Sequence, residues 1–353
     1  MEPQGRAFRS QSSRRGRALR PLDLHLCQVL CKDLSLPSID NSGCVFSSEQ
    51  VRSKTPSTQS TSPTGLPQQR VGTAPEVAAL PVVSAKSWVI CSGETGEVLS
   101  GVNYLERREV ASLTKIMTCY VVLRLIKRLP GVSSKSLIRV SRIASITTGT
   151  TADLNEGEEG TVWDLLHGLM LPSGNDAAYS LAEHFGRLLH DTTEGESPSR
   201  NYVRYFMQKM NQYAKKLKMY QTAFDNPHGL ANPTNRSTAK DIAKLTCACM
   251  KMSKFREIVR AKSYTSTLYT PAFNSYRRVS WANTNKLLDA NWLGVKTGVT
   301  PTAGPCLSVC YRVEEKRTVV IVMLACTTME RRWTDAVMLA AWAKERIRLD
   351  NFS

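Results

Sequence analysis

The hydrophobic pattern divides the chain into a polar N-terminal part and a globular remainder. Residues 1–81 are rich in Ser, Thr, Pro, Gln and Arg and have little apolar periodicity, so we expect a basic, disordered extension there. From Ser87 onward, apolar positions recur at the spacings of strands and helices. The pattern predicts a single discontinuous domain over residues 82–350, with a mostly helical insert at about residues 130–265.

Short apolar runs predict strands at both ends of this domain, and longer periodic segments predict helices between them. The predicted strands are Trp88–Cys91, its hairpin partner Glu97–Leu99, Trp292–Val295, Cys306–Val309 and Val319–Leu324. The predicted helices are Ser112–Arg128, Thr161–Leu169, Asp176–Leu189, residues 200–219, residues 237–252 and Thr334–Ile347. Strands that flank a helical middle imply an α/β (α+β) fold.

Two copies of a Ser-x-x-Lys pattern lie at predicted helix starts. Residues three apart share a helix face, so Ser112 Oγ and Lys115 Nζ could meet, and a neutral amine can take the proton of an attacking hydroxyl. Ser237 and Lys240 have the same spacing, but Asp241 and the apolar period after it indicate that Ser237 caps a helix. Because the pattern arises by chance about once or twice in a chain of this length, other motifs must decide.

Charge and cysteine content leave several function classes open. The net charge of +17 and the pI near 9.6 allow contact with nucleic acid, an acidic surface or an anionic polymer. The basic residues are scattered, however, without a zinc-finger spacing or a dominant basic helix, so a solvated surface is the better interpretation. The ten cysteines contain no Cys-x-x-Cys pair, and we expect free buried thiols.

The N-terminal composition leaves the location of the protein open. The first twenty residues carry six arginines, three serines and one acid, which resembles an organelle transit peptide. A basic disordered tail or a misassigned start explains the composition equally well. No apolar stretch typical of a secretory signal follows, and no run of about 18 apolar residues predicts a membrane span.

Two further motifs follow the first Ser-x-x-Lys in order, namely Ser173-Gly174-Asn175 and Lys296-Thr297-Gly298. Each is weak alone, but the order and spacing of all three are specific. The chain resembles the penicillin-recognising acyl-serine enzymes, and among them the D-alanyl-D-alanine carboxypeptidases of serine peptidase family S11. Other stretches that match this family's habits are Asn226–Leu230, Ser237–Ala243, Asn283–Asn285 and Ala303–Leu307. The resemblance covers residues 82–347 and implies an antiparallel sheet flanked by helices, as in β-lactamases and transpeptidases.

The resemblance implies a catalytic role for the first two motifs. Ser112 would be the acylated nucleophile and Lys115 its general base. Ser173 would relay a proton to the departing amine, and Asn175 would hold a backbone amide of the substrate. To act as a base near pH 7, Lys115 must be neutral, and we expect burial and the charge of Lys296 to lower its pKa from about 10.4.

The resemblance assigns substrate binding to the third motif. Lys296 and Thr297 would bind the terminal carboxylate of the substrate, and Gly298 would let the substrate backbone lie against the strand. The oxyanion hole would use the backbone N–H groups of Ser112 and Val299.

Four nearby positions have weaker assignments. Arg332 resembles a family arginine near the carboxylate site, although Arg331 can be aligned there and a plain surface arginine fits as well. We interpret His228 as a turn or packing residue and Asp176 as first-turn helix charge. Asn235 stands where relatives often carry histidine, and the sequence assigns it no role.

The resemblance implies a serine-type D-Ala-D-Ala carboxypeptidase that cleaves peptidoglycan-like stem peptides and reacts with penicillin and other β-lactams. It implies no metal or organic cofactor, no nucleic acid partner and no transmembrane anchor. One alternative is a β-lactamase-like or esterase acyl-serine hydrolase, yet a class A β-lactamase expects a glutamate about 35 residues after the second motif, and residues 201–216 contain none. The other alternative is a non-catalytic ligand-binding member of the same fold.

Overall fold

The structure is a computed structural model that describes residues 80–194, 201–230 and 233–350. The predicted disordered extension lies outside the described residues up to residue 79. The strands are β1 (Ser87–Ser92), β2 (Val98–Val102), β3 (Arg108–Glu109), β4 (Leu137–Arg139), β5 (Glu159–Thr161), β6 (Arg236–Ser237), β7 (Ser263–Thr270), β8 (Ser275–Ala282), β9 (Trp292–Gly298), β10 (Cys306–Glu314) and β11 (Arg317–Leu324). The helices are α1 (Thr114–Ile126), α2 (Arg142–Ser145), α3 (Val162–Met170), α4 (Asn175–Glu194), α5 (Tyr202–Lys216), α6 (Ala239–Met250), α7 (Ser253–Arg260) and α8 (Arg331–Asp350).

A five-stranded sheet joins the two ends of the described chain, as the apolar runs predicted. Its strand order is β2-β1-β11-β10-β9, and every neighbouring pair is antiparallel. The fold therefore confirms the predicted α/β (α+β) class with an antiparallel sheet flanked by helices. Because β9 is an edge strand of the sheet that the described residues form, one side of the Lys296-Thr297-Gly298 motif has no paired strand there and could bind another extended chain.

Helices cover both faces of this sheet, because successive residues of a strand point to opposite faces. Val319, Ile321 and Met323 of β11 pack with α8 in one buried cluster. Val320, Val322 and Leu324, the alternate residues, pack with α1 and α6 in a second and larger cluster. The sheet is thus a middle layer between α8 and the helical part of the fold.

Helix α1 lies at the centre of the larger cluster. Eleven of its thirteen residues are buried, as expected for a helix that is apolar on all sides. We predicted that it begins at Ser112 and ends near Arg128, but a single 3₁₀ turn, Ala111–Leu113, precedes it, and it ends at Ile126. The difference moves the helix start by two residues and leaves Ser112 one turn before Lys115.

The prediction that Ser237 caps a helix is wrong by one residue. The hydroxyl of Thr238 accepts the hydrogen bond from Asp241 N at 3.0 Å and is the N-cap of α6. Ser237 belongs to the short strand β6, and its hydroxyl lies 2.7 Å from Thr222 Oγ1. Both residue types are good caps, and Thr238 is the cap because the helix begins directly after it, at Ala239.

A second sheet, in the order β4-β5-β7-β8, was not predicted. Its main part is the hairpin of β7 and β8, whose strands are mostly Ser, Thr, Tyr and Arg, so that apolar alternation is weak. Helix α7 was also missed. Arg277 of β8 forms ion pairs with Asp153 and Glu158 at 2.8 and 2.7 Å, which fixes this sheet to the loop between α2 and β5.

The seven described cysteines are free and buried, as predicted. Burial raises the pKa of their thiols, for example that of Cys247 to about 11. Cys27, Cys31 and Cys44 lie outside the described residues. Within the described ranges, no helix is both long and apolar enough to cross a bilayer, and no group of three or more His, Cys, Asp or Glu residues is placed to hold a metal ion.

Candidate active site

The three motifs meet where the start of α1, the start of α4 and the end of β9 come together. Lys115 Nζ lies 3.0 Å from Ser112 Oγ and 2.6 Å from Asn175 Oδ1. A Cβ atom added to Gly298 would lie 3.1 Å from the backbone nitrogen of Ser112, so the edge strand passes directly beside the serine. Residues separated by up to 186 positions in the sequence therefore lie close together in the fold.

Lys115 is fully buried and its amine contacts three oxygen atoms. Besides Ser112 Oγ and Asn175 Oδ1, the carbonyl oxygen of His228 accepts a hydrogen bond from Nζ at 2.8 Å. Burial lowers the pKa of Lys115 well below its usual value, the positive charge of Lys296 lowers it further, and Asp176 opposes the shift. This direction and both causes agree with the expectation from the sequence, and the role of Lys115 as the base stays a prediction.

Asn175 is engaged at both ends of its side-chain amide. Its Oδ1 accepts from Lys115 Nζ, and its Nδ2 donates to the carbonyl of Thr148 at 2.6 Å. Gly149 leaves the space for this amide, because a Cβ there would press against Asn175 Nδ2. The side chain thus orients Lys115, and the contact with a substrate amide stays a prediction.

Ser173 is buried two residues before the start of α4, and its backbone is in the left-handed region, with φ +70°. Serine rarely adopts this conformation, which functional sites often retain. Its carbonyl accepts a hydrogen bond from Thr150 Oγ1 at 2.6 Å, which fixes the turn. Among the described residues its hydroxyl has no hydrogen-bond partner, and the proton-relay role stays a prediction.

Asp176 does more than place charge in the first turn of α4. Its buried carboxylate accepts hydrogen bonds from Thr151 Oγ1 and from the backbone nitrogens of Ala152 and Leu154, at 2.6 to 3.1 Å. These bonds hold residues 151–154, and Thr150 directly before them donates to the carbonyl of Ser173.

His228 has the structural role that we predicted and one that we missed. Its ring Nδ1 accepts from Leu230 N at 3.1 Å, and burial together with Lys115 lowers the pKa of the ring to about 3, so the imidazole is neutral. The missed role belongs to its carbonyl, which binds Lys115. The feature of the sequence that pointed to this turn was Gly229. Its φ of +82° and its close approach to Ala111 O fix the backbone next to His228.

Lys296 and Thr297 form a buried polar strip on β9. Lys296 is 1% exposed, and burial together with the nearby Arg332 charge lowers its pKa to about 7. Its Nζ donates to the carbonyl of Thr297 at 3.0 Å. Thr297 Oγ1 lies 2.8 Å from Thr284 Oγ1, a contact that sequence reasoning missed although Asn283–Asn285 matches the family.

The structure separates Arg332 from Arg331. Arg332 is 3% exposed, and its Nη1 donates to the carbonyls of Gly298 and Cys306 at 3.3 and 3.4 Å. Burial lowers its pKa to about 10. Arg331 is half exposed, 3.8 Å from Asp335. The interpretation of Arg332 as a plain surface arginine is therefore wrong, because its side chain is buried against the last residue of β9. Its contact with a substrate carboxylate stays a prediction.

Val299 follows the last residue of β9 and its side chain is 47% exposed. The backbone N–H of Val299 is the group that could act in the site. Val299 directly follows Gly298, which lies beside Ser112 N. Two neighbouring N–H groups of this kind suit an oxyanion, and the pair of Ser112 and Val299 stays the predicted oxyanion hole.

Known proteins share this sequence pattern. A model of the D-alanyl-D-alanine carboxypeptidase family matches residues 74–327. The chain is 34% identical over 274 residues to a D-alanyl-D-alanine carboxypeptidase of Streptomyces sp. (strain K15), covering 76% of this chain and 90% of that protein. It is 31% identical over 274 residues to D-alanyl-D-alanine carboxypeptidase DacD of Escherichia coli (strain K12), covering 75% of this chain but 64%, less than two thirds, of that relative.

Solved structures share the fold. The crystal structure of the Streptomyces K15 DD-transpeptidase aligns with a TM-score of 0.68 at 33% identity, covering 75% of this chain and 98% of that one. The D-alanyl-D-alanine carboxypeptidase DacD from Francisella tularensis aligns with a TM-score of 0.65 at 26% identity, covering 78% and 73% of the two chains.

Proposed function

Because this chain belongs to the D-alanyl-D-alanine carboxypeptidase family, which the serine acyl-enzyme mechanism fits, we propose that it removes the terminal D-alanine from peptidoglycan-like stem peptides. The acyl-enzyme would form on Ser112. The observation that supports this most strongly is the buried amine of Lys115, with its lowered pKa, 3.0 Å from Ser112 Oγ. A buried amine that gives up its proton easily is a base at neutral pH.

In the first step, Lys115 takes the proton of the serine. A neutral amine has two N–H bonds and one lone pair. Asn175 Oδ1 and the His228 carbonyl accept the two N–H bonds, so the lone pair faces Ser112 Oγ. The hydroxyl proton moves to Nζ while Oγ bonds to the substrate carbonyl carbon, and the N–H groups of Ser112 and Val299 bind the oxyanion.

In the second step, the bond to the leaving D-alanine breaks. The proton on Lys115 passes through the hydroxyl of Ser173 to the departing amine as the carbonyl re-forms, and water later hydrolyses the ester. Lys296 and the buried Arg332 place positive charge at the end of β9, where it attracts the terminal carboxylate. Thr297 supplies a hydroxyl to the same group.

The alternatives have less support. Helix α5 contains no glutamate, which a class A β-lactamase would use to activate water for rapid deacylation. A non-catalytic binding member of the fold has no need of a lysine held by three oxygen atoms against a serine. Rapid turnover of penicillin would favour the first alternative, and absence of any adduct the second.

The test is release of D-alanine from diacetyl-Lys-D-Ala-D-Ala. We expect release that penicillin blocks in proportion to the acylated fraction, and a slow return of activity as the adduct hydrolyses. Intact substrate after long incubation with a protein that penicillin does acylate would contradict the carboxypeptidase proposal while leaving an acyl-serine enzyme.

The acyl acceptor is a separate question, because the Streptomyces K15 protein is named a carboxypeptidase and its structure a DD-transpeptidase. We propose water as the acceptor here. Added glycylglycine should leave hydrolysis the main product. A dominant aminolysis product at millimolar acceptor would instead assign transpeptidation.

A further inference from the structure

The segment Asp225–Leu230, called here the lysine loop, is attached to α1 at two points near Lys115. The His228 carbonyl accepts from Lys115 Nζ at 2.8 Å. One turn further along α1, Thr118 Oγ1 donates to the carbonyl of Pro227 at 2.6 Å. The position of the His228 carbonyl therefore depends on how the loop lies against the helix.

The lysine loop is held in one shape by its own bonds. Asn226 Oδ1 accepts hydrogen bonds from His228 N and Gly229 N at 3.3 and 2.6 Å. Gly229 has no room for a Cβ, because that atom would clash with the carbonyl of Ala111. A loop that is stiff inside moves as a unit when its ends move.

Asn235 links the beginning of this loop to the residue beside the lysine. It is 3% exposed. Its Nδ2 donates to Thr114 Oγ1 at 2.9 Å, and its Oδ1 accepts from Asp225 N at 3.3 Å. One buried side chain thus connects the first residue of the lysine loop with the first residue of α1, which directly precedes Lys115.

We propose that Asn235 is a positioning residue for Lys115, which keeps the His228 carbonyl on the amine so that the lone pair faces Ser112. This rests on the proposed function, in which Lys115 is the base. A carbonyl that accepts from Nζ stabilises the ammonium form more than the neutral form. Losing it has two effects: the base is less well directed, and its pKa falls further.

Those two effects distinguish positioning from plain stabilisation. A purely structural link would change the fraction of folded protein but leave the folded protein with its normal rate and pH dependence. A positioning link lowers the maximum acylation rate, which is the plateau of the pH-rate profile. It also shifts the acid limb, where the rate falls at low pH, to lower pH, because that fall follows protonation of Lys115.

The experiment measures the second-order rate constant of penicillin acylation as a function of pH for Asn235→Ala and Thr114→Val. Each rate is divided by the amount of folded protein, which is taken as the total penicillin adduct once the reaction is complete. We expect a plateau rate lower by about tenfold to a hundredfold, since small misplacements of a reacting group have effects of this size, and an acid limb at lower pH. Thr114→Ser keeps the hydroxyl and should restore the wild-type rate and limb.

Asn211→Ala is the matched control. Asn211 makes the same kind of link, from Nδ2 and Oδ1 to the backbone of Phe224 at 2.7 and 2.9 Å, but it has no bond to α1. Its acylation profile should stay that of the wild type, and a shift equal to that of Asn235→Ala would overturn the proposal as general loosening.

A double mutant completes the test. If Asn235 acts through Thr114, the combination of Asn235→Ala with Thr114→Val should lower the rate little more than either change alone. The inference would be refuted if Thr114→Val had the plateau rate and acid limb of the wild type, or if the effects of the two substitutions on the rate were fully additive. Acylation of the wild type would still support the proposed function in that case. A wild type that penicillin does not acylate would refute both.

Discussion

Two regions of this molecule carry the same Ser-x-x-Lys spacing and have different surroundings. Ser112 lies in a 3₁₀ turn that runs directly into α1, so Lys115 on the first turn of the helix reaches back to it at 3.0 Å. The amine is fully buried, and its other contacts are protein oxygens. Here the spacing places a base beside a hydroxyl.

The second pair is arranged differently. Ser237 is the last residue of strand β6 and bonds Thr222, while Lys240 is on α6 and its half-buried amine lies 5.9 Å from the centre of the Tyr104 ring. An extended residue and a helical residue do not share a face. A Ser-x-x-Lys motif therefore brings its two side chains together when a continuous helical backbone joins them, and the spacing alone is not enough.

The largest expected effect is that of removing the serine. Ser112→Ala should lower D-alanine release and penicillin labelling by about 10⁴-fold or more, because Ser112 Oγ is the hydroxyl that lies 3.0 Å from the base. Ser237→Ala, the matched change in the other pair, should label as the wild type does. Fluorescent penicillin on a gel measures both, and equal labelling of the two variants would abolish the distinction.

Replacing the base should have the next largest effect. Lys115→Arg keeps a positive charge but cannot lose its proton near neutral pH, so acylation should fall by about 10²- to 10⁴-fold. Lys240→Arg should change the rate less than about threefold. Stopped-flow acylation measures each, and a mild effect at Lys115 would mean that another group is the base.

The pH dependence should differ between the lysines of the site. Lys115 acts when neutral, so kcat should rise with pH through its lowered pKa. Lys296 has a pKa of about 7 and acts when charged, so KM for a substrate with a free carboxylate should rise above pH 7, by up to about tenfold per pH unit. A substrate with an amidated C-terminus should not show this rise. Lys240→Met should leave the pH dependence of both kcat and KM unchanged. A shift in either would mean that Lys240 also acts in the site.

The smallest effect belongs to the cap of α6. Thr238→Ala removes the acceptor for Asp241 N and should lower the free energy of unfolding by about 1 kcal/mol, with penicillin labelling unchanged. Urea unfolding measures the loss. A large loss of labelling in the folded variant would tie this region to the site and weaken the contrast.

Much of the site could be predicted because its side chains are reactive types at fixed spacing. Ser112, Lys115 and Lys296 are such residues, and strong apolar runs placed the strands and helices that carry them. The His228 carbonyl could not be predicted, because every residue has a backbone carbonyl and only the turn at Gly229 directs this one.

Other differences arise where neighbouring residues have equal propensities. Ser237 and Thr238 are both good caps, and Arg331 and Arg332 are adjacent cations on one helix, so tertiary packing decides which is the cap and which is buried. The hairpin of β7 and β8 was missed because its strands contribute two buried hydrophobic side chains, Leu268 and Trp281, which are too few to form an apolar pattern.

Whether Ser112 is the acylated residue can be tested directly by locating the penicillin adduct in the wild-type chain, through digestion and peptide mass spectrometry. We expect one adduct, on the peptide that contains Ser112, with the peptide that contains Ser237 unmodified. An adduct at Ser237 or at any other residue, or no adduct after complete exposure, would contradict the assignment of Ser112.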